Sequence, residues 1–592
     1  MAFVAKPLSL LPVSATPPTL VHQHYMMSDS HQFYNLPPEL WHAISSYLPN
    51  RDVKSLRLVS KRFCNSVELR LQRVFLSANP LNIKVFRAIA NHEEFRHKIS
   101  EIVWDDARFA RGPSTEIIHP EQGLYLPITD ASDEETEESF ELRRRHAEVQ
   151  GPPDWEVYES DFDYGHREDE EFGDSIYQLR NSGNFKGQIC PLWFKAACVN
   201  NIEYIFIRRR KLNMTEAWHQ KFKDEKKLGK AALSMSESWA IYRSLLRKQA
   251  DVLAGNYDEE AFLYGLERFP ALKRVTVTPA AHGVPFAPLY KSPMIRAFPQ
   301  GFNYPIPRGW PTSTTEEPED VITFPWQRVD ERHREKYRAF RIVTRALAQQ
   351  KHNVVELVLE ARQLYTGINC TIFDEPCAEH DNLLTVLKKP GFRRLDLSLM
   401  FGGRGSATEN WKTFRDGRLR ETLGTMTDLE EFTFYTAGLD NCYEWKNPPV
   451  DTNPVSLERI FPVENWSKLR HFALSRFIVS QADLVTLLSK LPDTLKSVKL
   501  SFLVFVDNGT SWHTFLVELR TKIREKSLWP GHRPNVVIGN ERTFLLLGGA
   551  TWLGKAVNDF LYEGGENPFY DPPRVLVKKE LGTTKDAFDP YC

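Results

Sequence analysis

The run His92-Glu93-Glu94-Phe95-Arg96-His97 has the residue types of a zinc site. Two histidines on one helix face can hold the metal while a glutamate between them activates water. Those histidines must lie four positions apart, and these lie five apart. Asp161-x-Asp163-x-Gly165 opens like a calcium loop. It lacks a third ligand, a glycine at the sharp turn and a closing bidentate glutamate. Gly402-Gly403-Arg404-Gly405 follows an apolar run, as a phosphate-cradling loop does. It has neither the fingerprint spacing nor an acidic residue placed for a ribose, and reads as a plain loop. Arg208-Arg209-Arg210-Lys211, beside the apolar run Ile202 to Ile207, reads as a basic helix end rather than a nuclear address. There is no GxSxG elbow, no P-loop and no kinase motif set. The expectation is a chain without catalytic, metal-ligating or cofactor-binding residues, which acts by binding. An enzyme on an α/β body would need a deep pocket lined by histidines and carboxylates with shifted pKa values.

The chemistry that remains is apolar, and three short helices must position it. In residues 35–75, Leu36-Pro37-Pro38-Glu39-Leu40 opens a helix, because proline and a carboxylate both suit a first helical turn. Leu40, Ile44 and Leu48 recur at i, i+4 and i+8 and lay one apolar stripe along it. Pro49-Asn50 ends it. Asp52 is placed to cap a second helix carrying Val53, Leu56 and Val59, and Ser60 a third carrying Phe63, Val67 and Leu71. A unit this small buries little surface and carries more apolar residues than it can hide, which points to a protein-binding face.

The run Leu36-Pro37-Pro38-Glu39-Leu40, then Ile44, Leu48-Pro49, Asp52, Leu56 and Leu58-Val59-Ser60-Lys61-Arg62-Phe63, resembles an F-box, in the form found at the N-terminus of many fungal F-box proteins. The resemblance implies docking on the Skp-type adaptor of a cullin-RING ubiquitin ligase. It places Leu36, Pro37, Leu40, Ile44, Leu48, Leu56, Val59 and Phe63 at or near that adaptor. Phe63 stands where many F-boxes carry tryptophan.

The remaining sequence bounds the partners. Apolar content is 42%, charged content 26% and net charge −1, as in a globular protein with no overall field for nucleic acid or an anionic membrane. No window of eighteen apolar residues would span a membrane. Seven cysteines without any CxxC suit a reducing compartment, cytosol or nucleus. Residues 1–34 read as a disordered tail and a poor signal peptide. Residues 130–171 hold 17 Asp+Glu against 4 Arg, a net of −13, which leaves the rest of the chain at +12. Residues 130–185 are expected to be a solvated, partly disordered insertion.

A six-residue pattern, apolar-x-x-apolar-x-apolar, repeats at Leu272, Val354, Phe392, Leu429, Leu469 and Leu495. From Val354 onward the starts are 38, 37, 40 and 26 residues apart, and helical spacing fills several intervals: Asn382 to Lys388, Trp411 to Leu423, Ala482 to Leu491. This resembles leucine-rich repeats in an irregular form without their asparagine ladder. The expected fold is α/β: a three-helix F-box, then an irregular leucine-rich-repeat-like solenoid of parallel strands alternating with helices. A conventional α/β domain with a parallel sheet fits the same alternation. The body begins over 76–129, continues over 186–556, contains a Pro/aromatic insertion at 279–326 that serves either as a binding-site wall or as a structural strap, and ends in a tail from 557 to 592. The functional expectation is a non-catalytic substrate-recognition subunit of a Skp-cullin-F-box ligase, holding an unknown target protein. The alternative is an interaction scaffold that uses the F-box outside a ligase.

Overall fold

A computed structural model describes residues 36–48, 50–67, 69–112, 190–210, 227, 231–311, 323–362, 364–401, 412–437, 455–507, 509–541, 549–570, 577–578 and 582–586. The N-terminal tail, the acidic segment with its calcium-like run, and Gly402 to Gly405 lie outside these residues. The chain divides into two units, Met1–Leu71 and Gln72–Cys592.

In the first unit, helix α1 (Pro38–Tyr47) starts on proline with Glu39 in its first turn, as the residue types dictate. Helix α2 (Asn50–Val59) begins before Asp52, so that carboxylate sits inside the first turn rather than at the cap expected for it. Helix α3 (Lys61–Ser66) is capped by Ser60, whose Oγ accepts the Phe63 N–H at 3.2 Å. It stops at Ser66, short of the stripe drawn to Leu71, because Val67 turns extended. Trp41, Val53, Phe63 and Val67 form the core, with Leu36, Leu48, Leu56 and Leu69 packed against it. Trp41 and Phe63 meet edge to face, with ring centroids 4.6 Å apart. The Arg70 guanidinium donates to the carbonyls of Ser46, at 2.7 Å, and Leu48, closing the C-terminal end of α1.

The second unit is built on one 12-stranded sheet whose strand order follows the chain. Its strands are β1 (Arg73–Ser77), β2 (Glu101–Asp105), β3 (Arg274–Thr278), β4 (Glu356–Leu359), β5 (Ile368–Asn369), β6 (Arg394–Met400), β7 (Glu431–Ala437), β8 (His471–Ser475), β10 (Ser497–Ser501), β12 (Asn535–Glu541), β13 (Gly549–Leu553) and β14 (Thr583–Asp586), while β9 (Ile478–Val479) and β11 (Val504–Phe505) pair apart from it. The pairs from β1 to β12 are parallel, and β13 runs antiparallel to both of its neighbours, β12 and β14. β1 lies in this unit, so residues 73–75, read from sequence as the end of the three-helix unit, are the first strand of the body. The segment read as a C-terminal tail is also part of it: a helix at Lys555–Tyr562 buries Val557, Phe560 and Leu561, and β14 pairs with β13.

Each of the six patterned runs becomes a strand two residues after its first apolar residue. Leu272, Val354, Phe392, Leu429, Leu469 and Leu495 are buried just before the strands. The other two positions align across the sheet, so that Val275, Leu357, Leu395, Phe432, Phe472 and Val498 form one buried row. On the opposite face, Arg73, Glu101, Arg274, Glu356, Arg394 and Glu431 stand in consecutive register. Arg73 meets Glu101 at 2.7 Å, Arg274 meets Glu356 at 2.5 Å and Arg394 meets Glu431 at 2.7 Å. Such partly exposed pairs contribute up to about 1 kcal/mol each. A slipped register would part these pairs and, at one residue's shift, turn the buried row to the other face.

Gly417, at φ +82°, divides the helix expected from Trp411 to Leu423 into Lys412–Arg415 and Arg418–Gly424. The Pro/aromatic stretch packs as a strap. Ala280, Ala281, Val284, Leu289 and Tyr290 cover Val103 and Phe75 on the charged face of the sheet, and Phe302 and Tyr304 join a second core with Phe109, Phe194 and Tyr242. Trp310 ties its far end down by donating Nε1–H to Asp106 Oδ2 at 3.0 Å.

Candidate functional site

The strap buries the most catalytic-looking group of side chains in the described residues. Tyr304 Oη lies 3.0 Å from His282 Nδ1, and His282 Nε2 lies 3.6 Å from Asp105 Oδ2. All three are buried, and the His282 ring is packed by Phe109 and Phe298. Burial pushes the Asp105 carboxyl up to about 8, and burial with the nearby Arg308 charge pulls His282 down to about 3. The two therefore face each other as neutral groups at a distance too long for a hydrogen bond. Packing of this array against Asp105, with the Trp310–Asp106 hydrogen bond, anchors the strap at the end of β2.

The anchor has a pH signature. Because the Asp105 pKa is raised on folding, its contribution is fully present below about pH 4 and is lost as pH rises towards 8. Asp105→Asn preserves the neutral shape and cannot ionise. Its stability relative to wild type should climb across that window by a few kcal/mol, read from denaturant midpoints at several pH values. His282 is shared by both proteins and cancels in the difference. A pH-independent gap between them would show that Asp105 does not titrate on unfolding.

The zinc-like histidine has a local structural use. His92 Nδ1 accepts the N–H groups of Glu94 and Phe95, both at 3.3 Å, and its ring stacks on Phe95. No cluster of His, Cys, Asp and Glu among the described residues is arranged to hold a metal.

The N-terminal unit presents a different kind of site. Leu40 is 49% exposed, Ile44 38% and Val59 60%, and Pro37 is exposed beside them. Leu36, Leu48 and Leu56 are half-buried against the core, and Phe63 lies within it. The eight residues singled out from sequence thus separate into four on the surface, three at its margin and one in the interior. Two further large apolar residues were missed: Tyr47, 89% exposed, and Leu58, 87% exposed. The sequence stripe through Leu40 and Ile44 is the outward face of α1. The inward face runs one residue later, through Trp41 and Ser45. A tryptophan directly after Leu40 was the available signal, since a side chain that large claims the core side of a short helix. So many exposed apolar groups on so few residues mark a protein-binding surface.

A family model for the F-box domain matches residues 33–71. The chain carries an F-box. No curated protein matches the chain as a relative. F-box domains bind Skp-type adaptors, and F-box proteins are typically non-catalytic adaptors that bring substrates to a ligase. The exposed apolar stripe lies wholly within the matched residues. Among the described residues no helix is long and apolar enough to cross a membrane.

Proposed function

We propose that the chain is the substrate-recognition subunit of a Skp-cullin-F-box ubiquitin ligase. Leu40, Ile44 and Val59, with Pro37 and Leu36, dock on the adaptor, while Leu48, Leu56 and Phe63 hold that surface in shape from beneath. The body, an irregular leucine-rich-repeat-like array like those of the fungal F-box group, holds the target protein. The chain then works in cytosol or nucleus, and its contribution to rate is positioning: a bound target is held at high effective concentration near the conjugating enzyme. The observation that carries this reading is the exposed Leu40–Ile44 stripe inside the F-box match.

The test is capture of purified Skp-type adaptor and cullin by the full chain. Capture of both supports a ligase subunit. Adaptor without cullin points to the scaffold reading. Capture of neither removes the functional reading and leaves the helices from residue 36 to 67 as ordinary packing.

A further inference from the structure

A groove of about 400 Å³ opens where helices α8 (Arg338–Gln349) and α9 (Ala378–Leu387) end, beside the entrances to β4 and β6. (Helices Pro80–Ala90, Leu192–Arg210, Met235–Ala254 and Tyr257–Arg268 are α4 to α7.) Its floor is organised by His352. The imidazole donates Nε2–H to the Leu347 carbonyl at 2.8 Å and accepts the Val354 N–H at Nδ1, at 3.1 Å. The Lys389 ammonium lies 3.0 Å from the same Nδ1 and donates to the His352 carbonyl. These contacts fix the cation in place and leave one of its N–H groups for a ligand. Lys351 and Lys388 line the same groove, and Lys273 adds its field to Lys389.

These lysines stand out electrostatically. The neighbouring arginines are balanced by carboxylates: Arg274 and Arg393 share Glu356, and Arg394 meets both Asp396 and Glu431, three cations against three anions. Among the described residues, no carboxylate pairs with Lys273, Lys351, Lys388 or Lys389. Helix C-termini attract cations, which is the simpler account of lysines here. None of these ammonium groups bonds a helix-terminal carbonyl, however: those of Ala346 and Leu384 accept the Gln350 and Lys388 N–H groups, that of Leu347 accepts His352 Nε2–H, and Lys389 bonds the carbonyl of His352. Three unneutralised ammonium groups lining one concavity, with a fourth near enough to act on Lys389, disfavour each other and favour an anion.

We propose that this groove binds an acidic stretch of a polypeptide partner. Between the cations the lining is Leu347, Ala348 and Val386 with the polar Gln350 and Thr385, and its one ring is His352, whose two nitrogens are both engaged by the backbone, which favours an acidic peptide over a run of stacked bases. The inference deepens the ligase reading by naming the chemistry of the target. Its test does not involve the adaptor, so either can fail alone.

The experiment is fluorescence anisotropy of the full chain with a short fluorescein-labelled peptide rich in glutamate, and with a glutamine counterpart. The variant is Lys351→Glu with Lys388→Glu, both exposed side chains without hydrogen bonds in the structure, so the fold is not at stake. A control of equal charge change is Lys248→Glu with Lys522→Glu, outside the groove. The groove variant should weaken the glutamate peptide by at least about tenfold, with a steep salt dependence, and the control by less than about twofold. Equal weakening in the two variants, or equal affinity for the glutamine peptide, overturns the proposal. Binding that emerges only after deletion of residues 130–171 overturns it as well, since the occupant is then the chain's own acidic stretch.

Discussion

Replacing Leu40 and Ile44 with aspartate should abolish capture of a Skp-type adaptor and leave the unfolding of the body unchanged. Both side chains are solvated in the free F-box, at 49% and 38% exposure, so the substitutions remove little packing and should alter stability by no more than about 0.5 kcal/mol each. Docking reverses that balance. Two apolar anchors are lost, and two carboxylates must be stripped of water opposite an apolar partner surface. A loss of more than about 4 kcal/mol, or roughly a thousandfold in affinity, follows. Calorimetric titration of the full chain with the adaptor measures it, and circular dichroism checks the fold. Wild-type affinity in the double variant would sink the assignment of this face. Phe63→Ala should also lose binding, for another reason: it empties the F-box core beneath Trp41, and the helices themselves should melt.

Phe432→Ala should be the most damaging single truncation in the body. The ring is 1% exposed and touches Phe434, Phe461, Trp466 and Phe472. It sits mid-sheet in the buried row shared with Leu395 and Phe472, so neighbours on either side are held by hydrogen-bonded strands and cannot collapse into the space. The expected destabilisation is about 3–5 kcal/mol, read as a lower midpoint in denaturant. Phe432→Leu, which refills most of the volume, should recover more than half of it. A loss below about 1 kcal/mol would mean that the aromatic cluster is loose.

The sheet was legible because its signal is local. An apolar residue that anchors the chain before a strand, followed by two inward positions, is a pattern that any six residues can display, and each of the six runs became a strand. The same pattern is present at Leu71-x-x-Val74-x-Leu76 and Ile99-x-x-Ile102-x-Trp104, which are β1 and β2. It was overlooked as a repeat there because the long interval before Leu272 hides the period. The strap was harder. Its prolines and aromatics say that it is ordered against something, but only the fold brings Tyr290 over Phe75 and Tyr304 beside His282. The basic groove was not legible at all, since Lys273, Lys351 and Lys389 are far apart in the chain and meet only when β3, β4 and β6 align. In the F-box, the choice between two faces one residue apart on a short helix depends on which side chain the other two helices enclose.

Strand order that follows chain order also distributes the entropy of folding unevenly. Residues 476–496 join β8 to β10, whereas residues 106–273 join β2 to β3, a connection about eight times longer. Closing a flexible loop becomes costlier with the logarithm of its length, so the longer closure carries at most about 2 kcal/mol more. β8 and β10 close across a short connection, and so do β1 and β2 across residues 78–100, so the step this term delays is the joining of β2 to β3. In pulse-labelled hydrogen exchange, amides bonded between β2 and β3 should gain protection later than those between β8 and β10, although the chain is synthesised from the β2 end.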